Sequence, residues 1–377
     1  MIEKKARRKK ALPRILHGSA FGLVRGVAAT ANIMGLENSA HFARGIGSLL
    51  ARMSLARRPD RSNRAIENIR WCFPDATPER ARQLLFESYR HLCSLAIELA
   101  WTPRLMNEDG FPNCVELGKL ADGLAQLLRG GPTVLVTGHA GNWELLGYTM
   151  ALLGFPMYAL YRPLEIEPMD LWLQRTRARR GLILVDKFGA SSQLPAIVGA
   201  NNPVAFIADQ NAGDRGLFVP FFNRLASSYK AIALMAMQHN APVVCGHAVR
   251  LSRGLPGAHA DDAFRYRLDV IDVIKPDDWV DQPDPAFYIS ARYRRAIEQM
   301  VRRAPEQYLW MHRYWKSRPP HEAADREYTG FPAKLRAKIE ALPWITQADI
   351  DTIVARSERD AAELKLNARP DRPRRGS

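Results

Sequence analysis

From residue 131 the apolar positions fall into short runs, TVLVTG, MYALYRP, LILVD, VAFIAD, VVCGHAV and later YRLDVIDVI. Between them lie stretches near 142–153, 168–180, 190–200 and 228–240 with apolar residues at helical spacing. Runs this short, rich in Val, Ile and Leu and bounded by Gly, Pro or Asp, read as strands, and the intervening segments read as helices. The alternation predicts an α/β fold, a mostly parallel sheet flanked by helices on both faces. A further helix around 285–303 completes this body. Upstream, from Arg57 to Trp101, the pattern is helical. In FPDATPER, Thr77 is placed to cap a helix that begins at Pro78, and Leu84, Leu85, Tyr89, Leu92 and Leu95 follow on one broad face.

The chain opens differently. MIEKKARRKK carries six Lys/Arg, and residues 15–36, ILHGSAFGLVRGVAATANIMGL, follow with moderate apolarity. On a helix Arg14, Arg25 and Asn32 fall within about 20° of one another, opposite Leu16, Leu23, Val27 and Met34. An arginine at mid-bilayer costs about 2.5–3.5 kcal/mol, so a helix lying in the membrane interface is favoured over one that spans. Residues 1–56 are therefore expected to be a basic, membrane-associated helical segment. Residues 57–320 form the α/β domain, and residues 321–377 a helical, charged tail disordered at its NARPDRPRRGS end.

Composition narrows the partners without choosing one. Against 39 Asp+Glu stand 54 Lys+Arg, a formal charge of +15 that suits an anionic partner such as anionic lipid, an acidic protein or nucleic acid. Cys72, Cys93, Cys114 and Cys245 are far apart in sequence, with no C-x-x-C pair and no cleavable signal, so a disulfide framework and a zinc site are both disfavoured and reduced thiols are expected. The patterns H-E-x-x-H, G-x-S-x-G, G-x-x-x-x-G-K-[ST] and G-x-G-x-x-G are absent.

Candidate chemistry gathers at one corner, VLVTGHAGNWELLG. His139 stands at the carboxyl end of a predicted strand, where ligands collect in open α/β sheets. On a single helix His139 and Glu144 would point about 140° apart. With Gly141 or Asn142 capping a new helix, His139 stays on the loop and Glu144 enters the first turn, so the carboxylate can face the imidazole. Such a dyad suits removal of a proton from a hydroxyl, as acyl transfer to an alcohol requires. The plainer alternative is a loop histidine beside a capping-box carboxylate. Asp209 and Gln210, ending VAFIAD-Q, lie on the same edge and are candidates to orient the dyad or a substrate, or to cap the loop. Arg162 follows a strand end and Arg175, Arg177, Arg179 and Arg180 crowd the next helix end, where guanidiniums can grip phosphate or simply form a solvated helix end. GLFVPFF with AIALMAM suits an acyl slot or ordinary core. Trp310 and Trp315, with Arg313 and Arg318, read as packing and headgroup contact rather than nucleic-acid stacking.

Four ordered blocks carry a resemblance: TGHAGNWELLG, YRPLEIEPMDLWLQRTRARRG (161–181), VAFIADQNAGDRGLFVPFFNRLASS (204–228) and PEQYLWMHRYWKSRP (305–319). Together with NRAIENIRWCFPD upstream, they resemble the lipid A biosynthesis acyltransferases, and TGHAGNWELLG resembles that family's H-x-x-x-x-[DE] block. The resemblance implies transfer of a fatty acyl chain from acyl carrier protein to a hydroxyl of a phosphorylated, Kdo-bearing lipid A precursor. It implies His139 as general base with Glu144 as partner, Arg162, Arg177, Asp209 and Gln210 at the substrate, and no metal or cofactor beyond the carrier thioester. It places the enzyme on the cytoplasmic face of the inner membrane, with membrane lipids rather than nucleic acid as partners. Another glycolipid or phospholipid acceptor is the neighbouring alternative, and a non-catalytic basic surface-binding protein the distant one. The chain departs from the family pattern in a weaker, more basic N-terminal apolar segment, in ASS at 226–228 where ATT is frequent, and in a longer tail.

Overall fold

The computed structural model of the protein describes residues 14–107, 109–178, 181–186, 189–251 and 264–368. Four helices come first: α1 (Arg14–Met34), α2 (Leu36–Arg57), α3 (Pro59–Cys72) and α4 (Pro78–Leu105). Thr77 caps α4 as its sequence predicts, its hydroxyl accepting from Arg80 N at 3.2 Å. The amphipathic stretch continues past α1 into α2, the two helices meeting at Gly35 with φ at 80°. The α2 helix lies along α4 on a buried stripe of small residues, Ala40, Ala43, Gly47 and Ala51. A Cβ on Gly47 would come 2.5 Å from Arg90 Cα, so the two backbones touch there and only glycine fits. Among the described residues no helix is long and apolar enough to cross a membrane.

The body follows as α5 (Phe111–Cys114), β1 (Val115–Leu117), α6 (Ala121–Leu128), β2 (Val134–Thr137), α7 (Trp143–Leu152), β3 (Tyr158–Tyr161), α8 (Glu167–Ala178), β4 (Ile183–Asp186), α9 (Ala190–Gly199) and β5 (Val204–Ile207). A hairpin of β6 (Leu217–Phe221) and β7 (Arg224–Ser228) precedes α10 (Lys230–Gln238), β8 (Val243–Arg250), β9 (Tyr266–Ile274), α11 (Pro276–Trp279) and α12 (Pro285–Arg303). Two tail helices, α13 (Ala333–Glu340) and α14 (Gln347–Ala368), end the described chain. Seven strands make one sheet in the order β1-β9-β8-β2-β5-β3-β4. Only β8–β9 is antiparallel within it, so the mostly parallel sheet that the alternation predicts is present.

Side-chain alternation divides the two faces. Val134, Val136, Val204, Phe206, Val243 and Cys245 enter the main core with Ile232 of α10 and Tyr293 and Ile297 of α12. Leu135, Ala159, Leu184 and Ala205 belong to the other side, with Leu127 of α6 and Met150 of α7. The helical part of the tail is clamped to the body: Arg224 Nε donates to Asp360 at 2.8 Å, and Arg356 donates to the carbonyls of Phe222 and Trp71 at 2.9 and 2.7 Å. The disorder expected for its tip concerns residues outside those described.

Candidate active site

Strands β2 and β5 are parallel neighbours with Thr137 opposite Ile207, so His139 and Asp209, each two residues past a strand end, emerge side by side. Asp209 is fully buried. Its carboxylate accepts from His139 N at 2.9 Å and from His139 Nδ1 at 2.7 Å. Burial alone would raise the Asp209 carboxyl, but the imidazole, both hydrogen bonds and the Arg294 charge more than offset it and hold the group below the usual carboxylate range. An ionised Asp209 keeps the proton on Nδ1 and leaves Nε2 as an acceptor. That nitrogen faces the Gln210 amide, whose Nε2 lies 3.3 Å away, and the Trp143 ring packs edge-on to the imidazole at 5.0 Å.

The loop between β2 and α7 is held by its backbone. Gly141 has φ at 62°, and a Cβ there would lie 2.0 Å from Ala248 O, so both conformation and space demand glycine. Asn142 is the cap, its Oδ1 accepting from Leu145 N at 2.9 Å. Behind it Glu98, Arg250 and Tyr266 form a buried charged cluster, and Asn142 Nδ2 donates to Glu98 at 3.4 Å. His91 Nε2 lies 3.0 Å from Gly141 O.

Glu144 does sit in the first turn of α7, as the cap predicts. Its carboxylate, however, is taken by Arg177 of α8 in a two-point contact, Nε to Oε2 at 2.9 Å with a second bond from Nη2 to Oε1. No hydrogen bond or ion pair joins it to His139. The carboxylate facing the imidazole is Asp209, because the β2–β5 register delivers it directly to Nδ1, while Glu144 finds a guanidinium, a stronger partner than a neutral imidazole. Arg162 is exposed, and among the described residues its side chain has no hydrogen-bond or ion-pair partner. Arg179 and Arg180 lie outside the described residues.

His139, Glu144, Arg162 and Arg177 line one cavity of about 380 Å³. His139 and Arg162 follow strand ends, Glu144 opens α7 and Arg177 lies in the last turn of α8. The apolar part of the lining includes Leu124, Leu127, Leu135, Met150, Met157 and Leu182. This is a largely alkyl-lined slot that also bears an imidazole, a carboxylate and two guanidiniums. The GLFVPFF and AIALMAM segments are elsewhere, with Val219, Phe221, Phe222, Ile232, Ala233 and Met235 all in the main core. Trp310 and Trp315 are likewise buried there, while Arg318 pairs with Glu322 and Asp360. Among the described residues no group of three or more His, Cys, Asp or Glu could hold a metal.

One functional residue escapes the sequence reading. Arg294 on α12 is fully buried and donates to Asp209 O at 2.6 Å, Gln210 O at 3.2 Å, Ser227 O at 3.0 Å and Ser228 Oγ at 2.8 Å. It fixes the backbone that carries Asp209 and Gln210. The available signal was a guanidinium on the apolar stripe of α12, between Ala291 and Ile297.

The sequence profile described as bacterial lipid A biosynthesis acyltransferase matches residues 8–317. The chain is 28% identical over 293 residues to the lipid A biosynthesis palmitoleoyltransferase of Escherichia coli (strain K12), covering 74% of this chain and 86% of the relative. It is 24% identical over 279 residues to the lauroyltransferase of the same organism, covering 73% and 85%. To a lipid A biosynthesis acyltransferase of Haemophilus influenzae it is 25% identical over 291 residues, covering 74% and 84%.

Proposed function

We propose, from the premise that the chain belongs to the bacterial lipid A biosynthesis acyltransferase family, that it transfers a fatty acyl chain from acyl carrier protein to a hydroxyl of a lipid A precursor. The observation that carries this reading is the largely apolar slot with His139 in its lining. The slot takes the acyl chain and brings its thioester carbonyl to the imidazole. Nε2 of His139 removes the proton of the acceptor hydroxyl as the oxygen attacks the carbonyl carbon. The tetrahedral intermediate then collapses, the C–S bond breaks, and the imidazolium returns the proton to the departing thiolate. Asp209 stabilises the imidazolium and holds the ring. Glu144 works through Arg177, presenting that guanidinium with Arg162 to the phosphates of the acceptor. No metal or cofactor enters beyond the carrier thioester.

The place of action is the cytoplasmic face of the inner membrane. On α2, Phe42, Leu49 and Met53 are 40%, 57% and 37% exposed, and with Ile46 they lie within an arc of about 60°, facing away from the small-residue stripe that packs on α4. Arg52 and Arg57 flank the arc, the arrangement of a helix lying in an anionic lipid surface. The net charge of +15 also suits an acidic carrier protein.

The test is reconstitution. Purified protein, acyl carrier thioester and Kdo-bearing precursor are incubated, and the products are read by mass spectrometry for one added acyl ester. His139→Ala should fold normally by circular dichroism and lose transfer by at least about 10²–10⁴. Acylation of a different glycolipid alone would overturn the acceptor assignment, and near-wild-type turnover by the folded variant would overturn the mechanism.

A further inference from the structure

The reaction proposed above places negative charge on the thioester carbonyl oxygen, and that charge needs a hydrogen-bond donor beside the imidazole. Several backbone donors around the corner are already committed. His139 N is bonded to Asp209, Gly141 N to Gln307 O at 3.0 Å, Asn142 N to Ala248 O at 2.8 Å and Leu309 N to His139 O at 3.1 Å. Arg177 is engaged by Glu144. The side-chain amide set directly against His139 Nε2 is the carboxamide of Gln210. Its Nε2 lies 3.3 Å from His139 Nε2 and 2.8 Å from Nε2 of a second imidazole, His312, whose ring centre is 5.4 Å from that of His139.

We infer that Gln210 is the oxyanion donor of the acyl transfer, and that His312 is the positioning residue that holds its amide toward the reacting carbonyl. The inference rests on the acyltransferase reading. Hydrogen-bond logic fixes the amide's orientation: Asp209 takes the Nδ1 proton of His139, so the bare Nε2 can be faced only by an N–H, which makes the facing atom the amide nitrogen. The same nitrogen meets His312 Nε2, which must then be an acceptor. Burial first, and then the neighbouring His139, lower the affinity of His312 for a proton and keep it neutral. In the free protein both amide hydrogens rest on imidazole nitrogens. When the acceptor hydroxyl takes His139 Nε2, one N–H is released next to the attacked carbon while the other stays on His312. Arg294, bonded to the carbonyls of Asp209 and Gln210, fixes the main chain beneath both. The amide is therefore aimed before substrate arrives and strengthens its contact only as the oxyanion forms.

The experiment measures kcat and KM for the carrier thioester and the precursor in Gln210→Ala, the near-isosteric Gln210→Glu, His312→Leu, His312→Asn, and the Gln210→Ala/His312→Leu double variant. Folding is checked by thermal melts. Both Gln210 variants should lose about 10²–10³ in kcat with KM for either substrate nearly unchanged. His312→Leu should lose about tenfold, and His312→Asn, whose side-chain oxygen can accept the amide N–H, should recover much of it. The double variant should be no worse than Gln210→Ala, since His312 acts through the amide. Wild-type protein that transfers acyl chains while Gln210→Glu keeps a normal kcat overturns the inference and leaves the acyltransferase reading standing. Losses that multiply in the double variant overturn the role of His312. A wild-type protein with no transfer at all sinks the acyltransferase reading itself.

Discussion

At the scale of the residue, the two carboxylates near His139 have different partners, and the difference is measurable. Asp209→Asn keeps the shape but removes the charge that stabilises the imidazolium and fixes its tautomer. We expect kcat to fall by about 10²–10⁴ with KM little changed. Glu144→Gln instead releases Arg177, so its effect should be on acceptor binding, a loss in kcat/KM equivalent to about 1.5–3 kcal/mol and confined to phosphorylated acceptors. Steady-state kinetics with phosphorylated and dephosphorylated acceptors separates the two. A normal kcat in Asp209→Asn beside a collapsed kcat in Glu144→Gln would restore Glu144 as the imidazole's partner. The His-Ala-Gly break, the Asn142 cap and the first-turn position of Glu144 were all legible, because caps and turns are local. The His139–Asp209 contact spans 70 residues and exists only through the β2–β5 register. Asp209 stands out in the sequence by its place at a strand end, yet its aim at Nδ1 cannot be read without knowing that those two strands are neighbours.

At the scale of the element, strands β2 to β5, β8 and β9 and the helices between them follow from apolar periodicity, since each buries one face or both against a neighbour. The β6–β7 hairpin does not follow in the same way. GLFVPFF is apolar on both faces, which fits core and pocket equally, and only its packing under α12 and α14 decides for core. The N-terminal region shows the same ambiguity from the other side. Helical phase at 15–36 identifies an amphipathic helix, but the exposed apolar arc of α2 is visible only once Ala40, Ala43, Gly47 and Ala51 are seen to be spent on α4. That arc carries a prediction. Leu49→Asp with Met53→Asp should weaken sedimentation of the protein with phosphatidylglycerol-containing vesicles by at least about tenfold, since burying one such side chain contributes roughly 1.5–3 kcal/mol. Leu366→Asp, at a 51% exposed position on α14, should leave it unchanged. Equal losses from both changes would show that α2 has no special contact with lipid.

At the scale of the whole molecule, the interior beneath the active corner holds neutral histidines, and this sets how the fold responds to acid. His91 and His247 are buried and their affinity for protons is pushed down to about 3, by burial first and then by Arg250 for His91 and Arg303 for His247. His321 is lowered to about 4, by burial and Arg318. An unfolded chain binds these protons near pH 6.5, so between that value and about 3 it holds more protons than the native state. Native stability is therefore fully present above about pH 6.5 and falls as the pH drops through that window, by roughly 2 kcal/mol for each of His91 and His247 between pH 7 and 5. Asp209, ionised and hydrogen-bonded, adds a loss of the same sign at lower pH, while Glu306 and Glu322, raised by burial, oppose it. Both histidines touch the corner itself. His91 bonds Gly141 O, and a Cβ on Gly141 would come 3.0 Å from His247 Nε2. Neither nitrogen of His247 has a hydrogen-bond partner among the described residues. A buried polar ring with nothing to satisfy it destabilises the native state even when neutral. His247→Leu should consequently raise the urea midpoint at pH 7 or leave it level, and should flatten the fall in midpoint between pH 7 and 5. Urea unfolding of the wild type and the variant across that range, followed by circular dichroism, makes the comparison. A variant with the wild-type pH slope would show that His247 takes up no proton on unfolding, and the origin of the acid sensitivity would then lie with His91 and the carboxylates.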